Sequence, residues 1–146
     1  MGTNRYAELK EKQQNEFNNL SKDIMFFAFS EKQFDEGLAE FGITRENMKD
    51  KLLRFGGTGG YLLKDKESEL DNLFQKQRAE LKQEIDKDKT GKGFIKEMFS
   101  YELANHEYGY TGDLTDTLEA VGLTLKSINE HKALQKGLQL ALAKYN

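Results

Sequence analysis

The sequence contains no cysteine, no proline and no tryptophan. Without cysteine, the chain can form no disulfide, offer no thiolate to zinc or an iron–sulfur cluster, and use no cysteine nucleophile. It also lacks an apolar run long enough to cross a bilayer, and residues 1–20 lack the hydrophobic centre of a secretory signal. We therefore expect a cytoplasmic protein that does not enter the membrane.

The chain has many charged residues, and the numbers of acidic and basic residues nearly balance. Its 25 acidic and 22 basic side chains give a net charge of −3. Such a small excess provides neither a DNA-like acidic surface nor a general attraction to phosphate. Ten phenylalanines and six tyrosines within 146 residues suffice for a hydrophobic core. We expect a single domain over residues 1–146.

Three apolar segments predict a small β-sheet. Residues 24–29 form a continuous apolar run, typical of a strand buried on both faces, and we place this strand at the centre of the sheet. Residues 52–55 and 61–64 flank the sequence Gly-Gly-Thr-Gly-Gly, which predicts a hairpin with a glycine-rich loop at about 52–64. Because helical periodicity covers most of the remaining chain, we predict a mainly helical α+β fold whose three-stranded sheet is covered by helices.

One pattern occurs twice. Leu38, Gly42 and Thr44 have the same spacing as Leu118, Gly122 and Thr124, with one apolar residue between each glycine and threonine. This pattern predicts a helix ended by a glycine in the left-handed conformation, followed by a threonine cap for the next helix. We therefore expect positive φ angles at both glycines.

The helix that begins at Phe94 carries a polar cluster on its apolar side. At about 100° per residue, Glu102, Asn105 and His106 project within the arc defined by Phe94, Ile95, Met98 and Phe99. Polar groups in a core need hydrogen-bonding partners. We interpret Glu102, Asn105, His106 and Tyr108 as a structural polar network, and we expect the first three of these residues to be buried.

Two kinds of chemistry compete with that interpretation of the cluster. Glu102 and His106 are four residues apart, so both can reach one metal ion from one helical face. Alternatively, His106 serves as a general base, with Glu102 or Glu107 orienting it or binding a metal. In the favoured interpretation the chain has no catalytic residue and no cofactor.

A second candidate metal site lies just before this helix. Asp86, Asp88, Thr90 and Glu97 occupy the first, third, fifth and twelfth positions of a calcium-binding helix-loop-helix. Gly93 replaces the usual aliphatic residue, and lysines at positions 87, 89, 92 and 96 dilute the negative charge. We therefore favour a plain interhelical turn without a metal.

The chain resembles a small uncharacterised family from low-GC Gram-positive bacteria, their phages and mobile elements. Met25–Phe29 and the glycine loop at 56–60 contribute to this resemblance. Its most specific part is residues 99–108, which read Phe-Ser-Tyr-Glu-Leu-Ala-Asn-His-Glu-Tyr. The resemblance extends over nearly the whole chain. It implies a genomic setting but no known activity.

These observations favour a binding protein over an enzyme, because the chain is small and has neither a cofactor motif nor a recognisable nucleophile–base pair. We expect a non-enzymatic, cytoplasmic accessory factor of a phage or mobile element that binds a host protein or a copy of itself. Inhibition of a host defence system, as by an anti-CRISPR protein, is its candidate role. The alternatives are a small metal-dependent or histidine-based hydrolase or nucleotide-handling enzyme using Glu102 and His106, and a nucleic-acid binder using the basic stretch at 45–54.

Overall fold

The computed structural model describes residues 4–55 and 59–145. The elements in chain order are α1 (Arg5–Ile24), β1 (Met25–Phe27), α2 (Glu31–Glu40), α3 (Met48–Lys51), β2 (Leu52–Phe55), β3 (Gly60–Leu63), α4 (Glu67–Lys87), α5 (Phe94–Asn105), α6 (Tyr108–Thr111), α7 (Thr115–Val121), α8 (Leu125–Asn129) and α9 (Lys132–Leu142). Short 3-10 turns follow β3 and α9, at Lys64–Lys66 and Ala143–Tyr145. The predicted α+β class, mainly helical with a three-stranded sheet, is confirmed.

The sheet is antiparallel, with strand order β1-β3-β2. The predicted hairpin is confirmed, since Phe55 of β2 pairs with Gly60 of β3, while loop residues 56–58 lie outside the described part of the chain. The central placement of the first strand is wrong. Both edges of β3 are used, one by its hairpin partner and one by β1, so β1 lies at the margin of the sheet.

The first strand is also shorter than predicted. It ends at Phe27, and its pairing continues by one hydrogen bond, from the Ala28 N–H to the Gly59 carbonyl oxygen at 2.9 Å. Phe29 is 76% exposed, so the expectation of burial on both faces is wrong for this end of the segment. An apolar run indicates a strand, but the number of neighbours that the strand acquires depends on distant parts of the chain.

The chain divides into two compact units. We call Gln13–Gln77 the central unit, and Met1–Lys12 with Arg78–Asn146 the terminal unit. The single domain over 1–146 stays a prediction. In the central unit, Met25 and Leu62 pack on one side of the sheet and Phe26 on the other. The Phe26 ring lies so close to Gly37 of α2 that a Cβ there would be 2.2 Å from a ring carbon.

Helix α5 forms the centre of the terminal unit. Its residues Ile95, Met98, Phe99 and Leu103 are completely buried. They share one core with buried residues of α7 and α9, among them Val121, Leu134, Leu138 and Ala141. The side of α5 that carries these residues is closed to solvent, and the carboxylate of Glu102 lies on that same buried side.

The repeated glycine pattern forms two equivalent helix ends. Gly42 and Gly122 have φ angles of 68° and 70°, as predicted. In both cases the N–H of the residue after the glycine donates to a carbonyl oxygen of the preceding helix. Ile43 donates to Leu38 at 2.9 Å, and Leu123 donates to Leu118 at 3.0 Å. This arrangement satisfies carbonyl groups that the last turn of a helix leaves unpaired.

No helix in the described ranges is both long enough and apolar enough to pass through a lipid bilayer.

Candidate functional site

Glu102 is completely buried in the terminal unit and lies on α5. Its Oε2 accepts hydrogen bonds from the Tyr6 hydroxyl at 2.5 Å and from Lys10 Nζ at 2.8 Å, while its Oε1 accepts one from Asn105 Nδ2 at 3.2 Å. Tyr6 and Lys10 are one helical turn apart on α1. The carboxylate therefore fastens the start of α1 to α5.

The surroundings of Glu102 keep it ionised. Burial by itself raises its pKa, but hydrogen bonds from Lys10 and Tyr6 and the charge of Lys10 lower it, and the resulting pKa lies below the ordinary value. Burial, and then the neighbouring Glu102 carboxylate, raise the pKa of the Tyr6 hydroxyl, which stays a donor. A carboxylate with a lowered pKa and donors on both oxygens is a poor general base.

His106 lies beside this carboxylate without a hydrogen bond. Its Nε2 is 3.7 Å from Glu102 Oε1, it is shielded from solvent, and it makes no hydrogen bond within the described residues. The side chain as a whole is 28% exposed. The two groups are therefore farther apart than the hydrogen bond that joins a general base to its orienting carboxylate.

The other predicted members of the cluster are placed differently. Asn105 donates to Glu102 but is exposed, so its expected burial is wrong; α5 ends at this residue and leaves the side chain at the surface. Tyr108 lies apart from the network, with its ring edge-on to Tyr145 at 5.2 Å. Glu107 is exposed and has a φ of 55°, the left-handed conformation, where the chain leaves α5.

Sequence reasoning missed the two strongest partners of Glu102. Tyr6 and Lys10 are 96 and 92 residues away along the chain. Their spacing of four residues puts a hydroxyl and an ammonium on the same side of α1, which is a usable signal. Nothing local to either residue indicates which carboxylate they meet.

The candidate calcium ligands are engaged in other contacts. Asp86 pairs with Lys82 at 3.0 Å, and Glu97 with Arg5 at 2.9 Å. Asp88 Oδ1 accepts from the Gly91 N–H and the Thr90 hydroxyl, and its Oδ2 accepts from the N–H groups of Gly93 and Ile95. Within 4–55 and 59–145, no cluster of three or more His, Asp and Glu side chains is placed to hold a metal ion. The carboxylate of Asp88 instead accepts hydrogen bonds from backbone N–H groups at the start of α5.

The basic stretch at 45–54 is partly neutralised within the central unit. Arg45 forms ion pairs with Glu31 at 2.6 Å and Asp35 at 2.8 Å, and its guanidinium lies 4.9 Å from the centre of the Phe34 ring. Arg54 is exposed on β2. One of the cations counted toward a nucleic-acid surface is therefore held by α2.

Two aromatic side chains at the end of β1 are exposed. Phe27 and Phe29 are 46% and 76% exposed. Their rings lie against glycine backbone, since a Cβ on Gly60 would be 3.0 Å from a Phe27 ring carbon and one on Gly59 would be 3.0 Å from a Phe29 ring carbon. We call Phe27, Phe29 and the outer edge of β1 the β1 edge surface. Sequence reasoning assigned both rings to the core.

Residues 5–144 match a family model described as a family of unknown function, DUF7659. No curated protein and no solved structure matches the chain.

Proposed function

The chain belongs to the DUF7659 family, and we propose that it is a non-enzymatic factor that binds another protein through the β1 edge surface. The observation that carries this proposal is the exposure of Phe29, at 76%, beside that of Phe27. Large aromatic side chains gain most from burial, and they supply much of the binding energy at protein interfaces. Two such exposed rings, two residues apart along the chain, are therefore well suited to bind a partner.

The backbone of β1 adds a second feature suited to a protein partner. Only one edge of this strand, the one facing β3, pairs with a described strand. Unpaired N–H and C=O groups on an outer strand are a template for pairing with a segment of another protein. Phe27 lies on this strand, whereas the N–H of Phe29 is already engaged, since it donates to Gln33 Oε1 at 2.7 Å. A partner strand would pair with the backbone of β1 and bury the two rings.

The Glu102 cluster supports a binder more than an enzyme. Glu102 is completely buried, and its two oxygens accept from Tyr6, Lys10 and Asn105. Because both carboxylate oxygens accept hydrogen bonds, Glu102 holds the start of α1 against α5. Catalytic carboxylates need a free oxygen that reaches the substrate.

The setting we propose is the cytoplasm of a bacterium that carries the gene on a phage or mobile element. The resemblance of residues 99–108 to proteins from low-GC Gram-positive bacteria, their phages and mobile elements supports this setting. The partner we propose is a host protein, with inhibition of a defence system as the candidate role. A second copy of the chain is the other partner to test.

Capture followed by a binding measurement tests the proposal. Tagged protein is incubated with lysate of a low-GC Gram-positive host, retained proteins are identified by mass spectrometry, and a retained protein is purified for titration. Replacing Phe27 and Phe29 together by Ser should weaken its binding about 30-fold or more, the loss expected for a hot spot of about 2 kcal/mol. Self-association is measured in parallel by sedimentation.

Tyr110 provides the matched control, since it is an aromatic residue of α6 with 93% exposure and lies outside the β1 edge surface. Tyr110→Ser should leave binding unchanged. Both variants should melt near the temperature of the original protein, because the replaced rings are exposed. Equal affinity of the double variant and the original protein would refute the proposed surface.

A further inference from the structure

A cavity of about 540 Å³ opens in the terminal unit between α4 and the helices α7 to α9. Its volume is within the range of sites that hold small molecules, about 300 to 1,000 Å³. Apolar side chains from four separate segments line it, among them Leu81, Ile85, Val121, Leu123 and Leu134. The cavity is separate from both the Glu102 network and the β1 edge surface.

One face of α4 forms a long wall of this cavity. The lining residues Arg78, Leu81, Lys82, Ile85 and Asp86 follow the spacing of a single helical face. From Arg78 to Asp86 the helix rises roughly 12 Å, at about 1.5 Å per residue. The wall is therefore elongated, with Arg78 at one end and the Lys82–Asp86 ion pair alongside Ile85 towards the other.

Most polar groups on the rim are already engaged. Lys82 pairs with Asp86 at 3.0 Å, and His131 Nδ1 accepts a hydrogen bond from the Leu134 N–H at 3.3 Å. Arg78 and Glu119 are exposed, and neither forms an ion pair with any residue that the structure describes. Both border the cavity, so an anionic group of a ligand is attracted to Arg78 and repelled by Glu119.

We propose that this cavity binds a small amphipathic carboxylate. Its apolar body lies along Leu81 and Ile85, where burial of apolar surface supplies most of the affinity. Its carboxylate lies at Arg78, whose planar guanidinium pairs with a carboxylate through two hydrogen bonds. Lys82 contributes little, because Asp86 already neutralises it.

Calorimetric titration with decanoate and with 1-decanol tests this site, because the two probes share an apolar chain and differ in charge. Decanoate should bind saturably at one molecule per chain. Arg78→Gln should weaken decanoate about tenfold and leave 1-decanol unchanged, while Glu119→Gln should leave decanoate binding unchanged or tighter. Lys126→Gln removes an exposed cation of α8 outside the cavity lining and should have no effect.

A blocking variant tests the location independently of charge. Ala120 lines the cavity and is exposed, so Ala120→Phe should fill it and abolish binding of both probes without lowering the melting temperature. Ala79→Phe is the matched control, because Ala79 is an exposed residue of α4 that does not line the cavity. The proposal is overturned by the absence of saturable decanoate binding, by unchanged binding to Ala120→Phe, or by equal losses of both probes in Arg78→Gln.

Discussion

Gly91 and Gly137 approach each other so closely that neither position has room for a side chain. A Cβ on Gly91 would lie 2.1 Å from the Ala133 carbonyl oxygen and 2.8 Å from the Gly137 nitrogen. A Cβ on Gly137 would lie 2.9 Å from the Gly91 oxygen and 2.3 Å from Ile95 Cγ2. The loop before α5 therefore rests directly on the backbone of α9, and this contact helps to fix how the two helices pack.

Gly91→Ala should lower the free energy of unfolding by about 3 kcal/mol, because overpacking adds to the cost of a β-carbon in the left-handed region. Gly112 is the matched control. Its φ is 66°, close to the 79° of Gly91, but a Cβ on Gly112 would have nothing within 4 Å of it. Gly112→Ala should therefore cost only about 1 kcal/mol. Urea unfolding of both variants measures the difference, and equal losses would contradict the close approach.

Glu102→Ala should lower the free energy of unfolding by about 1 to 3 kcal/mol, because it leaves the Tyr6 hydroxyl buried without its partner. Tyr6→Phe removes only one donor and should cost about 1 kcal/mol. His106→Ala should cost less than Glu102→Ala, since His106 Nε2 makes no hydrogen bond within the described residues. Glu107→Ala, at an exposed position, is the control and should cost little. Chemical denaturation ranks the four variants, and a stable Glu102→Ala protein would refute the structural role.

Asp88 should make the stability of the protein depend on pH in the acid range. Burial raises its pKa, but hydrogen bonds from the backbone of Ile95, Gly91 and Gly93 lower it, and the resulting pKa lies below the ordinary value of 3.8. A group whose pKa is lowered by folding stabilises the native state above its ordinary pKa. That contribution is lost as the pH falls through the pKa of the folded protein.

Asp88→Asn should therefore cost about 1 to 3 kcal/mol at neutral pH, because in either orientation its amide nitrogen faces a backbone N–H group and cannot accept a hydrogen bond from it. The difference from the original protein should shrink as the pH falls below 3.8. Urea unfolding across this pH range measures it. A difference that stays constant down to the lowest pH would show that the Asp88 carboxylate does not supply the effect.

Calcium should not change the melting temperature. Asp86, Asp88 and Glu97 are engaged with Lys82, with backbone N–H groups and with Arg5, respectively. A site that bound only the native state would add about 2.7 kcal/mol at a calcium concentration 100-fold above its dissociation constant, a shift of several degrees. Melting curves with calcium and with a chelator decide the matter, and a shift of that size would restore the calcium interpretation.

The features that the sequence predicts best depend on neighbouring residues. Gly42 and Gly122 have positive φ because a helix end, a glycine and the next apolar residue interact within a few positions. The hairpin of β2 and β3 is local for the same reason, since a short glycine loop keeps its strands together. In each case the interacting residues lie within a few positions of one another, which is the range that a sequence pattern covers.

The features that the sequence misses depend on distant residues. The edge position of β1 follows from its pairing with β3, and the partners of Glu102 come from α1. The helical phase of α5 correctly directs Glu102 inward but does not show that the helix ends at Asn105. Periodicity shows which residues share one face of a helix or strand. It does not show which other elements of the fold pack against that face, and the contacts of Glu102 depend on this.

The order in which residues leave the ribosome has a consequence for the Tyr6 to Glu102 bond. Gln13–Gln77 is continuous, so the central unit is fully synthesised before Glu102 exists, while the terminal unit must recruit Met1–Lys12 afterwards. With synthesis at about 5 to 20 residues per second, Glu102 is added to the chain on the order of 5 to 20 seconds after Tyr6, and only then can their hydrogen bond form. We expect stalled nascent chains that end before α5, and that carry a linker long enough to span the ribosomal exit tunnel, to show protease protection of residues 13–77 and cleavage near Tyr6. Protection of Tyr6 in those chains would show that the start of α1 needs no Glu102.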